Sequence, residues 1–212
     1  IDGDGDIDFL VMSGLDDFCD QDPDGLPLGQ LMWFETDSSM QLIPHLISRN
    51  KYMWKSMISQ YYASYWENIK IVDLDQDGHM DIVAGVNSES YSSNCTSSYN
   101  IISENIVWFK NDGNNQFNKI TIDPDYGDDN ERNHVLEIDV NDFDNDGDLD
   151  IVHCSSKYIY IYINDSTQNF TKQIVNSSTA FRGIDVVDYN QDSFLDIAYI
   201  RDGYSSLTNA PP

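Results

Sequence analysis

Basic residues are scarce in this chain. Lys and Arg number 11 against 37 Asp and Glu in 212 residues, a formal net charge of −26. Phosphate backbones and anionic membrane surfaces both demand lysine and arginine, so this balance argues against either as a partner. Long apolar runs are missing as well: no segment approaches the roughly 18 residues that would cross a bilayer, so direct membrane insertion is not expected. There is no Cys-x-x-Cys, and His45, His79, His134 and His153 are scattered, which argues against zinc. No Gly-x-Ser-x-Gly elbow, phosphate-cradling glycine loop or His-Glu-x-x-His occurs. Acid–base work would have to fall to groups such as Glu67, Glu104, Glu137 or His134, and nothing singles one out. No catalytic residue is therefore assigned. The chain opens inside a motif with neither initiator Met nor leader, as expected of a mature fragment or a piece of something longer.

What the chain has is a recurrent acidic phrase in an otherwise foldable composition, with 40% hydrophobic and 12% aromatic residues. The phrase places Asp73, Asp75, Asp77, Gly78 and Asp81 ahead of Ile82 and Val83. It returns as Asp142, Asp144, Asp146, Gly147, Asp148 and Asp150 ahead of Ile151 and Val152. A degenerate copy reads Asp188, Asn190, Asp192, Ser193 and Asp196. The first residues hold a beheaded copy with Asp2, Asp4, Gly5 and Asp8. Calcium takes six to eight oxygens, and carboxylates at positions 1, 3 and 5 of a tight loop can converge on one ion. Glycine at position 6 permits the sharp turn. Position 7 offers a backbone carbonyl (His79, Asp148), and the aspartate at position 9 closes the shell. Without a cation the carboxylates would repel one another, by about 4 kcal/mol per pair at 4 Å and a surface-like dielectric.

The loop is not an EF-hand. That motif needs a glutamate at position 12 and flanking helices, whereas position 12 here is Ala84 or His153. The flanks, Ile69 to Val72 and Ile82 to Val86, are short β-branched runs that read as strands, so the loop joins two strands. Between the loops a second phrase recurs: Trp33-Phe34, Trp108-Phe109 and Tyr160 to Ile163, each an aromatic strand running into a turn, with Asn111-Asp112-Gly113 as a hairpin signal. A further strand follows at 40–47, 117–122 and 170–175. One unit is strand, acidic loop, strand, variable insertion, strand, hairpin, strand. Four antiparallel strands per unit mark a propeller blade. The expected fold is an all-β propeller-type array with calcium loops between the first and second strands. It divides into a part-blade 1–48, an insertion 49–66, blades 67–122 and 134–175, a part-blade 182–201 and a tail 202–212, about three blades in all. The aromatic-rich 49–66 does not read as strand; a short helix or packed loop is expected there, and the Ser-rich stretch 88–98 reads as a second insertion.

On these residues the chain resembles the FG-GAP/VCBS repeat family, the type found in integrin α-subunit propellers and many secreted proteins. The specific part is the acidic phrase at 73–83 and 142–152; the Phe-Gly-Gly-Ala-Pro phrase is missing, so the VCBS-like variant is the nearer resemblance. The resemblance implies calcium ligands at Asp73, Asp75, Asp77, His79 (backbone) and Asp81. It implies them equally at Asp142, Asp144, Asp146, Asp148 (backbone) and Asp150. It extends them to Asp188, Asn190, Asp192, Phe194 (backbone) and Asp196, and to Asp2, Asp4 and Asp8. It also implies an extracellular or cell-surface protein that binds a protein or glycan ligand without catalysis. Two alternatives remain open: a subunit of an extracellular fibre built from copies of itself, and a secreted polysaccharide lyase or hydrolase on a propeller scaffold.

Lesser signals complete the reading. Asp20, Asp22 and Asp24, and separately Asp123 and Asp125, form further acidic turns. Asn94, Asn164, Asn169 and Asn176 head glycosylation sequons. Three cysteines allow one disulfide; Cys19 and Cys95 lie at similar places in successive units and are the preferred pair, against three unpaired thiols with Cys154.

Overall fold

The computed structural model describes residues 1–12, 29–37, 39–50, 53–55, 60–92, 98–99, 105–124, 135–178 and 180–202. Every element among them is a β-strand. The first sheet holds β1 (Phe9–Met12), β2 (Gly29–Thr36) and β3 (Leu42–Asn50) in that order. The second holds β4 (Met53–Lys55), β5 (Gln60–Val72), β6 (Asp81–Ser92), β8 (Ile106–Asn111) and β9 (Phe117–Asp123), with β7 (Ser98–Tyr99) paired to β6. The third is a complete four-stranded blade of β10 (Val135–Asn141), β11 (Asp150–Ser155), β12 (Tyr158–Asn164) and β13 (Phe170–Ser177). The last is the pair β14 (Phe181–Val187) and β15 (Asp196–Arg201). All pairings are antiparallel. The architecture is thus a series of propeller-type blades.

The sheets bury one another face to face. In β6 every residue from Asp81 to Asn87 is buried, and its side chains alternate in destination. Ile82, Ala84 and Val86 join Leu31, Trp66, Val107 and Phe109 against the first sheet. Val83 joins Leu74, Ile106 and Trp108 against Val135, Ile138, Ile151, Tyr160 and Tyr162 of the third. In β11, Ile151 faces back to the second sheet while Val152 and Cys154 face forward to Phe181 and Ile184. A strand covered on both faces loses the polar–apolar alternation, as in the nearly all-apolar runs at 82–86 and 151–154. The fourth strands, β9 and β13, are mostly exposed.

Two segments differ from the sequence expectation. Residues 60–66 are strand, continuous with the first strand of the blade: β5 runs past an irregularity between Trp66 and Ile69 and pairs with β6 as far as Ser92. Residues 53–55 pair with β5, and 98–99 with β6, so the supposed insertions form a four-stranded extension of the second sheet. The alternation of tyrosine and small polar residues suits a pleated surface, but it carries no apolar stripe to announce a strand.

Side chains also join the sheets. The Asn87 amide pairs with the Val135 main chain in both directions: the Val135 N–H donates to Oδ1 at 2.8 Å and Nδ2 donates to the Val135 carbonyl at 3.2 Å. Glu137 Oε2 accepts the Ile184 N–H at 2.8 Å. The three hairpins between third and fourth strands share one aspartate device. Asp37 Oδ1 accepts the Ser39 and Gln41 N–H groups, Asp112 Oδ1 those of Asn114 and Gln116, and Asp165 Oδ1 those of Thr167 and Asn169. The Thr167 hydroxyl, together with these N–H groups, lowers the Asp165 carboxyl to about 2. Asp37 and Asp112 are likewise lowered, chiefly by Ser39 and by the Asn114 N–H.

Gly85 is where β6 crosses Val135. A Cβ there would lie 2.5 Å from Val135 Cγ1 and 3.2 Å from Ile138 Cδ1. Gly85→Ala should therefore destabilise the fold by about 1–3 kcal/mol, the usual cost of overpacking. An unchanged urea midpoint would show that the second and third sheets can separate without penalty.

Candidate metal centre

The acidic loops share one backbone. Residues 73–81 join β5 to β6, 142–150 join β10 to β11, 188–196 join β14 to β15, and 2–8 lead into β1. Each loop contains two residues with positive φ. At position 6 these are Gly78 (93°), Gly147 (97°), Gly5 (93°) and Ser193 (73°); at position 4 they are Gln76 (57°), Asn145 (61°), Gln191 (62°) and Gly3 (80°). The paired left-handed residues turn backbone N–H groups inward onto the carboxylates. Asp73 accepts from Asp77 and Gly78 at 3.0 and 2.9 Å, Asp142 from Asp146 and Gly147 at 3.1 and 3.0 Å, and Asp188 from Asp192 and Ser193 at 3.1 and 2.9 Å. The fifth-position aspartate accepts the N–H of residue 7 in every copy: His79, Asp148 and Phe194, with Asp6 donating to Asp4 in the first loop. Serine in place of glycine at 193 leaves this pattern intact.

The ninth-position aspartates have a different task. Asp81 and Asp150 are fully buried. Oδ2 of each accepts an N–H from the start of its own loop, Leu74 at 3.2 Å and Phe143 at 2.9 Å. Oδ1 accepts an N–H from the end of the third strand, Asn111 at 2.7 Å and Asn164 at 2.8 Å. Asp8 accepts the Thr36 N–H at 3.2 Å in the same way. Asp196 accepts from Tyr189 at 3.1 Å. Asp81 and Asp150 each tie three chain segments at one point. Burial raises the Asp81 and Asp150 carboxyls above the ordinary range, and the backbone N–H groups only partly offset it.

Two groups of carboxylates converge. Oxygens of Asp73, Asp75 and Asp81 lie within 4.8 Å of one another, as do those of Asp142, Asp144 and Asp150. Asp75 supplies the telling detail: its side chain is 2% exposed, yet Oδ1 has no hydrogen-bond partner. An anionic oxygen shut away from water without a donor is costly, and a hard divalent cation would satisfy it. Oxygen-only donors on a two-turn loop fit calcium. Asp77 and Asp146 stand outside these triads, where they hold the His79 and Asp148 N–H groups that orient the position-7 carbonyls. Among the described residues, the loops at 2–8 and 188–196 bring no three carboxylates together. In the latter, the Asn190 amide donates to Asp192 Oδ2 at 3.0 Å, and Phe194 is 62% exposed.

Other candidate positions resolve differently. Asp123 is buried, and its Oδ2 accepts from Tyr162 Oη at 2.7 Å, Lys172 Nζ at 2.8 Å and Asn105 Nδ2 at 3.2 Å. Burial pushes this carboxyl up, but the Lys172 ammonium and the Tyr162 hydroxyl outweigh it and leave the carboxyl lowered, so a lysine neutralises this acid. Because Tyr162 spends its proton on Asp123, it accepts from His153 Nδ1–H at 3.0 Å, which fixes the histidine tautomer. Burial lowers His153 to about 3 and keeps it neutral. Sequence reading had no means of finding this network, whose members come from β9, β11, β12 and β13. Glu137 is committed to the Ile184 N–H. Asn164 is 4% exposed and its Nδ2 donates to the Leu149 carbonyl at 3.2 Å, so that sequon presents no free amide. Asn169 is exposed with its Nδ2 on Thr167 Oγ1 at 2.6 Å, and Asn176 is half-buried. Cys154 is a free, buried thiol pushed up to about 12 by burial. Cys19, Cys95, Asn94, Asp20, Asp22, Asp24, Asp125, Glu104 and His134, and the Glu67 side chain, lie outside the described residues.

A family model described as FG-GAP-like repeat matches residues 73–152 and 142–199, more than half of the chain. No curated protein matches it. Among solved structures, the chain is similar to a lectin of Agrocybe aegerita reported for specific recognition of non-reducing terminal N-acetylglucosamine. The two are 15% identical with a TM-score of 0.46, over 90% of this chain and 46% of that one. The chain thus spans less than half the length of that structure.

Two outcomes follow for the calcium-free protein. In chelator, Asp150→Ala should cost roughly 2–5 kcal/mol, because two buried N–H groups lose their acceptor at about 1–3 kcal/mol each. Asp146→Ala, which removes a mutually repelling charge, should change stability by less than about 1 kcal/mol. Equal losses in urea titrations would contradict the division of labour between the two positions. The second outcome concerns pH. Asp81 and Asp150 are raised, so their contribution is present below the ordinary carboxyl range and lost as pH rises through their folded values. Asp123 and Asp165 are lowered, so theirs is present above that range and lost as pH falls through their folded values. Calorimetric stability in chelator should peak on the acid side of neutrality; a maximum at neutral pH would contradict these assignments.

Proposed function

The chain belongs to the FG-GAP-like repeat family, and from that premise we propose that it is an extracellular or cell-surface calcium-binding repeat protein that binds a protein or glycan ligand without catalysing a reaction. The observation that carries the calcium reading is the paired convergence of Asp73, Asp75 and Asp81 and of Asp142, Asp144 and Asp150 at equivalent places in successive blades. Calcium, when bound, would supply charge neutralisation and a fixed loop geometry. Asp73, Asp75, Asp81 and the His79 carbonyl would hold it in one loop; Asp142, Asp144, Asp150 and the Asp148 carbonyl would hold it in the other.

Exposed loops of this kind, left unfilled, set several carboxylates against one another, and a medium rich in free calcium relieves that repulsion continuously. The binding role is argued from how the acids are spent. Among the described residues the loop aspartates accept backbone N–H groups, Asp81 and Asp150 clasp strands, Asp165 caps a hairpin, Asp123, Asp139 and Asp202 pair with cations, and Glu137 holds a backbone N–H. The 188–196 loop adds exposed Tyr189 and Phe194, side chains suited to contact with a partner.

Calcium should raise the melting temperature well above its value in excess chelator. At a hundred times the dissociation constant each site adds about 2.7 kcal/mol, and two sites together should shift the melt by about 10 °C or more. Asp77→Ala and Asp146→Ala should each reduce the uptake by about one ion. Identical melts with calcium and with chelator would overturn the assignment.

A further inference from the structure

We propose that Lys110 is an internal competitor for the 73–81 loop, so that this loop binds calcium more weakly than the 142–150 loop; the inference rests on the calcium reading above. The two loops are matched in backbone, ligand types and ninth-position clasp. They differ in the side chain at position 7, His79 against Asp148, and in the residue that precedes the clasped asparagine. Before Asn111 stands Lys110, and before Asn164 stands Ile163. The Lys110 ammonium pairs with the Asp75 carboxylate and lies 3.6 Å from Asp77 Oδ2. It also sits 5.6 Å from the centre of the Trp108 ring. The same Asp75 oxygen accepts Gln168 Nε2 at 3.0 Å, from the hairpin of the next blade. One oxygen of Asp75 therefore carries two donors while the other, buried, has none.

A divalent ion drawn to that second oxygen would enter beside a fixed positive charge. Either the ion is repelled or the ammonium must swing out to solvent, and both reduce affinity. Nothing equivalent faces the second loop: among the described residues no lysine or arginine pairs with Asp142, Asp144 or Asp146. The loops are also in contact, since Gln76 Nε2 donates to the Gly147 carbonyl at 2.7 Å. The difference is therefore built between neighbours in one array, by a residue of the third strand and not of either loop.

The test is a calorimetric calcium titration of the whole chain after chelator is removed. The wild type should show two classes of site separated by at least about tenfold in dissociation constant, equivalent to about 1.4 kcal/mol. Asp77→Ala should remove the weaker class and Asp146→Ala the tighter. Lys110→Met keeps most of the stem beside Trp108 and removes the charge; it should tighten the weaker class by about tenfold and leave the tighter one in place. Lys110→Arg, which keeps the charge, should preserve the gap. Loss of the tighter class in Asp77→Ala overturns the proposal even if the methionine variant fails to fold, and so does an unchanged weaker class in a folded Lys110→Met. No calcium uptake by any form, wild type included, would instead overturn the calcium reading itself.

Discussion

Asp81 and Asp150 are carboxylates without solvent access, and each accepts N–H groups from two places that are far apart in sequence, the head of its own loop and the end of the third strand. Ionised, such a group is costly to bury unless its oxygens are filled. Here the filling donors are main-chain groups that the sheet itself would otherwise leave unpaired. Loop, second strand and third strand are consequently held at a fixed point, and the remaining loop carboxylates are aimed from it. Remove the clasp and the triads lose one member and their geometry together. The repeat depends on this junction more than on any single apolar contact, because the apolar contacts lie between blades and the junction sets where each blade begins.

The acidity of the chain divides by position into physically distinct uses. Aspartates at the hairpin tips accept backbone N–H groups in water, and their carboxyls fall below the usual range because the charged form is the hydrogen-bonded one. Ninth-position aspartates rise because burial outweighs the same kind of bond. Asp123 is a third case, buried yet lowered, because Lys172 and Tyr162 reach it. Only the loop carboxylates at positions 1 and 3, with the clasp, converge without an evident counter-charge in the second loop. Among the described residues, much of the acidity behind the formal charge of −26 falls into a small set of repeated local devices, some satisfied by the backbone and some left for a cation.

Much of this was legible in the residues. The short β-branched strands, the acidic loop between first and second strands and the aromatic third strand were read from the residues, and those strands and the loops between them stand there in the sheets. The nearly all-apolar runs at 82–86 and 151–154, the latter interrupted by His153, are covered on both faces. Three features were not legible, each for a physical reason. The left-handed residue at position 4 is glutamine or asparagine in three of the loops, and neither marks a positive φ as glycine does. The extension at 60–66 and 86–92 alternates tyrosine with small polar residues and carries no apolar stripe in its sequence, so its strands read as insertion. The Asp123, Tyr162, His153 and Lys172 network draws on four strands, and no local spacing encodes it.

Repeats of this kind carry a loop whose ligands are fixed by the motif and whose surroundings are not. The third strand sets one residue immediately before the position whose N–H the clasp accepts in each blade: Glu35 in the first sheet, Lys110 in the second, Ile163 in the third. Glu35 is drawn away to His45 at 2.8 Å, Lys110 turns into the carboxylates, and Ile163 has no charge to offer. An acid, a base and an apolar residue at one structural position give three electrostatic environments to one loop design. The motif settles which atoms can bind; the third strand settles how strongly, since a unit charge a few ångströms from an ion is worth more than small changes in loop geometry. A blade array can in this way hold graded sites on identical scaffolding, with the gradation written outside the sequence by which the sites are recognised.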